Sequence, residues 1–407
     1  MRRGEILVGL DLGSSRIRAV VADLGERELP EILGAGEARA EGIEAGVVVN
    51  MERAGASIRA AVEEAEQNSA TEIGGVCVAI GGEHIKGIDS RGVIAVSRTG
   101  GEITDGEVST VLEAAKTLAL PVGRTILDVL PQEFFVDSQT GIRDPVGMSG
   151  VRLGSKVHIV TASEQSVDNV VRACRKGGVY ASGVTLKPLA AGRVALSDDE
   201  KELGVLLINM GAGTTGLALY HGGAVRHTGV IGWGAASVTN DIAVGLRVPV
   251  SRAELLKREY GRAKSSLTED VPIEIPSVGG HPPRLSSAHM LAAIVEPRVR
   301  EILDMVANEI GSTDYWGRIP AGVVLTGGGA KLKGICDVTE EVFGTQARVG
   351  LPERVSGLCD AIADPAYAAC VGAVLGATRS RRRRRSRADN AITETFQRVR
   401  QWVDNLL

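Results

Sequence analysis

Two glycine-rich turns of one kind lie about two hundred residues apart, Gly9-Leu-Asp-Leu-Gly-Ser-Ser15 and Asn209-Met-Gly-Ala-Gly-Thr-Thr215. Each follows an apolar run (Ile6 to Leu10, Val205 to Ile208) and precedes another (Ile17 to Val21, Leu217 to Tyr220), so each predicts a hairpin. A strand, a Gly/Ser/Thr turn and a second strand aim backbone N–H groups and short hydroxyls at an anion, because glycine lets the backbone approach without a Cβ clash. Two such cradles could close on a polyphosphate from both sides. A third glycine turn, Thr326-Gly-Gly-Gly-Ala330, follows the apolar run Val323 to Leu325. By itself it fits a left-handed turn as well as a loop against which a flat or sugar-like ligand could lie.

The elements that must position these turns alternate between strand-like and helix-like patterns. Strands are expected at Ile6 to Leu10, Ile17 to Asp23, Val76 to Ile80, Val157 to Thr161, Val205 to Ile208 and Val323 to Leu325. Several are continuously apolar, as strands covered on both faces should be. Helices are expected at Ala54 to Gln67, Gly106 to Leu118, Ser163 to Lys176, Arg252 to Tyr260, Ala288 to Ile310 and Asp364 to Leu375. The alternation predicts an α/β chain with two sheet-plus-helix halves, one cradle in each. Segments Glu83 to Val157 and roughly Gly232 to Arg318 read as insertions between sheet strands.

At 407 residues and 44% hydrophobic, the chain can bury a core of two to three domains. Its five cysteines (Cys77, Cys174, Cys336, Cys359, Cys370) form no C-x-x-C pair and no zinc spacing, which suits a reduced, cytosolic setting. No run of eighteen apolar residues exists to span a membrane, and Asp11 interrupts the first apolar stretch too early for a signal peptide. Charge is divided unevenly. From Arg379 onward nine Arg face Asp389, Glu394 and Asp404, a net of +6 that leaves −10 on the first 378 residues.

The order GLDLGSS, INMGAGTTG, VLTGGGAKLKG resembles the phosphate-1, phosphate-2 and adenosine signatures of the actin, DnaK and sugar-kinase superfamily of ATP-binding folds. Within it the chain is most similar to the bacterial cell-division family FtsA. The specific marks are Pro131-Gln-Glu-Phe-Phe135, Gly141-Ile-Arg-Asp-Pro-Val-Gly-Met-Ser-Gly-Val-Arg-Leu153, Pro276-Ser-Val-Gly-Gly-His-Pro-Pro-Arg284 and Arg226-His-Thr228. The resemblance implies an actin-like two-domain fold: duplicated ribonuclease H-like sheets with helices on both faces, an FtsA-type inserted subdomain and a C-terminal amphipathic helix. The implied division is 1–82 with 158–196 as the first core subdomain and 83–157 as the insertion. Residues 197–231 with 319–378 form the second core subdomain, 232–318 a second small subdomain, 379–390 a basic linker and 391–407 a membrane-targeting helix.

The resemblance also implies roles. Asp11, Gly13, Ser14 and Ser15 would form the first phosphate loop, with Asp11 orienting Mg²⁺ through water. Gly211, Gly213, Thr214 and Thr215 would form the second, and Gly327, Gly328 and Gly329 would line the adenosine of ATP. Glu254 and Lys257 match the E-x-x-K that reaches ribose and adenine; their spacing puts both on one helical face, where an intrahelical ion pair is the plainer reading. Two positions depart from the superfamily. Asn209 stands where related proteins usually carry Asp, and Lys187, in Leu186-Lys-Pro-Leu-Ala190, stands where the actin-like filament protein MreB carries the Glu that helps position the attacking water. Asn supplies no negative charge for Mg²⁺ and its waters, and Lys is a poor partner for a water that must lose a proton. Slow or absent hydrolysis is therefore expected, with Lys187 pairing the γ-phosphate and taking part of the metal's role.

After Arg381, Arg382, Arg383, Arg384 and Arg385 comes a stretch in which Ile392, Phe396, Val399, Trp402, Val403, Leu406 and Leu407 recur at steps of three and four. They fall on one helical face, with polar residues opposite. A bulky apolar face behind a basic run suits an interfacial membrane helix, and each Arg near an anionic leaflet adds on the order of 1 kcal/mol. Packing of this helix on the protein's own body is the alternative. A poly-Arg segment can also bind nucleic acid nonspecifically, but no aromatic interleaving supports it, and no nucleic-acid partner is expected.

The expected function is that of an ATP-binding, actin-like protein that polymerises beneath the cytoplasmic membrane. It would anchor the FtsZ ring through the FtsZ C-terminal tail and recruit later division proteins. The alternatives are a small-molecule kinase of the same superfamily and the pilus-assembly ATP-binding protein PilM.

Overall fold

The computed structural model describes residues 5–25, 29–96, 101–117, 120–275 and 284–377. The glycine-rich run at 276–283, the basic linker and the expected membrane helix lie outside the described residues.

Two sheets repeat one topology. In the first, Glu5–Leu12, Arg16–Leu24 and Glu31–Arg39 form an antiparallel meander, and Gly75–Ile80 then Tyr180–Leu186 add in parallel on the far side of Glu5–Leu12. In the second, Val205–Met210, Thr215–His221 and Ala224–Ile231 form the meander, with Val323–Thr326 and Ala347–Val349 added in parallel. The strand that carries each cradle is thus central, which explains its continuous hydrophobicity: Val205 to Ile208 are fully buried.

Helices Met51–Ser69 and Glu164–Lys176 cover the first sheet, each capped by a side chain at its start, Asn50 and Ser163 respectively. Helix Ala288–Gly311 covers the second sheet, burying Val299, Ile302, Leu303 and Val306 in one core with Leu206, Ile208, Leu217 and Leu325. The segment expected as a separate small subdomain at 232–318 therefore shares its core with the second sheet.

The chain then recrosses to the first half. Ser356–Gly357 pairs with Glu31–Arg39, and the helical residues 368–377 pack on the first cradle strand, where Cys370 Sγ donates to Gly9 O at 3.1 Å. Assigning all of 319–378 to the second core subdomain is thus corrected for its last twenty or so residues. The sequence pattern there is helical in either place; only the contacts decide.

The insertion is an antiparallel sheet ordered Lys86–Ala95, Arg152–Ser163, Arg124–Val136, Gln139–Ile142, with helix Asp105–Thr117 on one face. The expected strand Val157 to Thr161 is the middle of Arg152–Ser163 and belongs to this sheet, so the boundary expected between 157 and 158 falls inside a strand. The insertion also touches the second half. Gln132 Nε2 donates to the carbonyls of Val225 and Arg226, both at 3.2 Å, and Arg143 pairs with Glu202. His158, 1% exposed, lies 2.7 Å through Nδ1 from Asp89 Oδ1 and 2.8 Å through Nε2 from Thr228 Oγ1. Burial alone would raise the Asp89 carboxyl, but the hydrogen bond from His158 together with the nearby charges of His158, Lys156 and His227 holds the group below its usual range.

Candidate functional site: two cradles facing across a cleft

The first cradle joins Glu5–Leu12 to Arg16–Leu24, with Asp11 opposite Arg18 in the ladder. Leu10 and Ile17, fully buried on either side of the turn, fix where Asp11 sits. Its side chain is 9% exposed, and Lys187 Nζ lies 2.8 Å from Oδ1 while donating to Leu12 O at 2.8 Å. The contact with Oδ1 is an ion pair without hydrogen-bond direction, so that this buried oxygen keeps unused acceptor capacity. Lys187 is held there because it opens helix Lys187–Ala195, whose start is set by Pro188 in the first turn.

The second cradle is built more tightly. Gly211 N donates to Thr214 O at 2.9 Å, and Thr215 Oγ1 donates to Trp233 O at 2.8 Å. Helix Ala235–Leu246 starts on the cradle itself, with Ala235 N donating to Gly211 O and Ala236 N to Ala212 O, both at 2.9 Å. Asn209 is buried and donates from Nδ2 to Thr326 Oγ1 at 3.1 Å. Its amide is therefore committed to the neighbouring strand. The lysine charge is directed to Asp11 of the first cradle.

The two turns meet. A Cβ on Gly213 would come 2.8 Å from Ser14 Oγ, and a Cβ on Gly81 would sit 3.5 Å from Lys187 Cδ and 3.6 Å from Thr214 Oγ1. Ser14, Gly213, Thr214 and Lys187 thus surround one small space, open enough that Gly13, Ser14, Gly211 and Gly213 remain partly accessible. Ser15, although exposed, belongs to the same turn.

Glu254 and Lys257 form the expected intrahelical pair, Nζ to Oε2 at 2.7 Å. Both also reach helix Ala235–Leu246: Thr239 Oγ1 donates to Glu254 at 2.6 Å, and Lys257 donates to Ala235 O at 3.0 Å. The pair is therefore anchored one turn from the second cradle. Burial pushes the Lys257 ammonium down despite its partner, whereas for Glu254 the burial that would raise it is outweighed by Lys257, Thr239 and Arg258 together, so the carboxyl ends below its usual value. In the third loop Gly327 has φ 81° and packs on Met210 O, Gly329 packs on the Met210 side chain, and Gly328 alone is exposed. The loop thus touches the second cradle through Met210.

These residues fit a polyphosphate: N–H groups, hydroxyls and one lysine around a gap, with a carboxylate oxygen to spare. They do not form a metal cage. Among the described residues no group of three or more His, Cys, Asp or Glu could hold an ion, and Asp11 already carries an ammonium. A separate, open depression beside Gly123 is lined by Glu164, Asp168 and Arg172 and carries none of the glycine turns. Arg298 and Arg300 are neutralised within the chain, Arg298 by Asp241 at 2.6 Å and Arg300 by Glu341 at 2.5 Å.

Sequence reasoning missed three participants. Trp233 contributes only its carbonyl and Thr326 only its hydroxyl, neither of which leaves a motif. The hairpin Ile43–Glu44/Val47–Val48 turns through Ala45 and Gly46, and Gly46 N donates to Ser14 Oγ at 3.2 Å. An X-Gly pair flanked by Ile43 and Val47 was a legible turn signal.

Comparison with known proteins agrees with this architecture. The family model for the cell division protein FtsA matches residues 206–372, and that for the SHS2 domain inserted in FtsA matches residues 82–161. The cell division protein FtsA of Pseudomonas aeruginosa is 39% identical over 376 residues, spanning 92% of this chain and 90% of its own. The solved PilM of the PilM–PilN type IV pilus biogenesis complex is similar in fold at 18% identity and TM-score 0.64, covering 91% of this chain and 97% of its own. So is MreB5 of Spiroplasma citri bound to AMPPNP, at 13% identity and TM-score 0.55, covering 95% and 99%. Identity at the family level, the duplicated actin-like sheets and the inserted SHS2 domain converge: the chain belongs to the FtsA family of cell-division proteins.

Proposed function

We propose that this cell-division protein holds ATP between its two cradles and assembles as an actin-like filament on the inner face of the cytoplasmic membrane. There it anchors the FtsZ ring by the FtsZ C-terminal tail and recruits later division proteins. The observation that carries the nucleotide site is the convergence of the two glycine turns, where Ser14, Gly213 and Thr214 come together beside Lys187 and Asp11. Asp11, Gly13, Ser14, Ser15 and Lys187 serve it from one side, Gly211, Gly213, Thr214 and Thr215 from the other. Lys257 and Glu254 lie toward the base and ribose, with Gly327, Gly328 and Gly329 beside them. A magnesium ion would be held chiefly by the nucleotide's own phosphates, and Asp11 is the residue that would reach it through water.

Hydrolysis is slow in this reading. Asn209 is neutral and bonded to Thr326, and Lys187 places a positive charge where a water-activating carboxylate would be needed. A small-molecule kinase is disfavoured for the same reason, since its acceptor hydroxyl needs a carboxylate base. Equilibrium binding of ATP, followed by turnover of the wild type against Asn209→Asp and Lys187→Glu, tests the site. Rapid wild-type hydrolysis would overturn the holding role.

The tether is supported by the sequence of 379–407: a basic linker followed by the apolar face Ile392, Phe396, Val399, Trp402, Val403, Leu406, Leu407. Pelleting with anionic liposomes and FtsZ, with and without the last sixteen residues, measures it. Full-length protein that stays in the supernatant throughout removes the tether.

A further inference from the structure

Thr239, in the second turn of helix Ala235–Leu246, is 3% exposed and belongs to none of the glycine turns. A hydroxyl has one proton to give and two lone pairs with which to accept, so the bonds it makes have an order. Three groups surround this one: Glu254 Oε2 at 2.6 Å, Lys257 Nζ at 2.7 Å and Ala235 O at 3.2 Å. The charges decide the order. The proton goes to the carboxylate, the ammonium donates to Oγ1, and Ala235 O is served by Lys257 at 3.0 Å. Glu254 thus has its inner oxygen, Oε2, filled by Thr239 and by Lys257 at 2.7 Å. Its outer oxygen, Oε1, accepts from Arg258 Nε at 2.9 Å, a side chain 59% exposed. A pair so open to water is weak and is given up at little cost.

The phosphate end of the site does not use this hydroxyl. Ala235 N and Ala236 N hold the second cradle through the carbonyls of Gly211 and Ala212, and a Cβ on Gly234 would lie 2.6 Å from both of those oxygens, so backbone packs directly on backbone there. The first turn of the helix therefore carries the cradle. The next turn, through Thr239, carries the pair on helix Val250–Tyr260.

We infer that Thr239 is a positioning residue for the nucleotide: its hydroxyl fixes which edge of Glu254 faces outward and holds Lys257 beside it, so that the adenosine end of the site is registered on the helix that closes the phosphate end. This rests on the reading that the cradles hold ATP with Glu254 and Lys257 toward its ribose and base. A sugar hydroxyl would replace Arg258 at Oε1, the edge that Thr239 leaves free. Without the Thr239 hydroxyl, Oε2 loses its neutral donor and Lys257 an acceptor, and the pair is no longer held in one orientation, while the backbone bonds of the cradle remain.

The test is calorimetric titration of ATP and of inorganic tripolyphosphate into the full-length protein: wild type, Thr239→Val, Thr239→Ser, Lys257→Met and the double variant Thr239→Val/Lys257→Met. Thr239→Val should weaken ATP about tenfold while changing tripolyphosphate less than about twofold, since only the adenosine end loses its register. Thr239→Ser keeps the hydroxyl and should bind both ligands as wild type does. The double variant should bind ATP no more weakly than Lys257→Met, because one residue acts through the other. Wild type that binds neither ligand removes the nucleotide reading itself. Wild type that binds ATP, with Thr239→Val leaving ATP unchanged or weakening both ligands by one factor, overturns the positioning role alone, as does a Ser variant as weak as the Val variant. If tripolyphosphate binds wild type too weakly to read, the double variant decides, and an additive loss overturns the inference. Should Thr239→Val fail to fold, hydrogen exchange of wild type decides: ATP should protect helices Ala235–Leu246 and Val250–Tyr260 together, and protection confined to one of them overturns it.

Discussion

The two halves of this molecule place Asp11 and Asn209 at the same point of the same topology, each the penultimate residue of a central strand that ends in a glycine turn. Both residues are 6% exposed. What differs is the neighbour on the adjoining parallel strand. Asp11 lies beside Ala79, which offers no partner, whereas Asn209 lies beside Thr326, whose hydroxyl takes up its amide. The acid of the first half must therefore reach out of the sheet to Lys187, and the amide of the second is satisfied within it. Duplication has preserved the backbone that cradles an anion and divided the chemistry: a charged, exchangeable pair on one side, a neutral and closed one on the other.

This contrast predicts unequal costs. The largest should follow Lys187→Met, which leaves Asp11 buried beside no cation. About 3–5 kcal/mol of folding stability should be lost, read from the denaturant midpoint, and Asp11→Asn in the same chain should restore much of it. A loss below about 1 kcal/mol would mean that the pair is solvated and that the halves do not differ as described. Thr326→Val tests the neutral side. Removing the hydroxyl leaves Asn209 Nδ2 buried without its acceptor, for about 1–2 kcal/mol, with the first cradle's ion pair unaffected.

The smallest effect concerns the partly buried pair beside the second cradle. Against burial, Lys257, Thr239 and Arg258 together hold Glu254 below its usual value. Its contribution is therefore present above the unfolded value near 4.5 and lost as pH falls through the lower folded value. With a side chain 35% exposed, the change should be about 0.3–1 kcal/mol. Comparing urea midpoints of wild type and Glu254→Gln between pH 6 and 3 should show the variant with the flatter profile. Equal slopes would assign the acid sensitivity to other carboxylates.

Much of the frame was legible because it repeats a local pattern. Apolar runs around Gly/Ser/Thr turns predicted both cradle hairpins, and helices such as Met51–Ser69 and Glu164–Lys176 follow from periodicity and their caps. The E-x-x-K spacing gave a face and a pair, but not its attachment to Thr239 and Ala235. The recognition marks carried information of another kind. Gln132 in Pro131–Phe135 and Thr228 in Arg226–Thr228 lie almost a hundred residues apart, yet both serve the same contact between insertion and second half. Nothing local in either segment states that partnership, since a glutamine amide and a threonine hydroxyl satisfy water equally well before the chain folds.

By itself, then, the sequence determined the kinds of element, the duplicated cradles, the acid at Asp11 and its absence at Asn209, and the electrically separate tail. Those are properties of residue type and short-range spacing, which φ preference, hydrophobic period and charge express without tertiary help. Only the tertiary structure decided that Lys187 serves Asp11, that residues 368–377 return to the first half, that Arg152–Ser163 belongs to the insertion, and that Gly46 meets Ser14. Each of these is a long-range pairing of groups with several chemically equivalent partners, and the choice is made by which surfaces the packed sheets bring within hydrogen-bond reach.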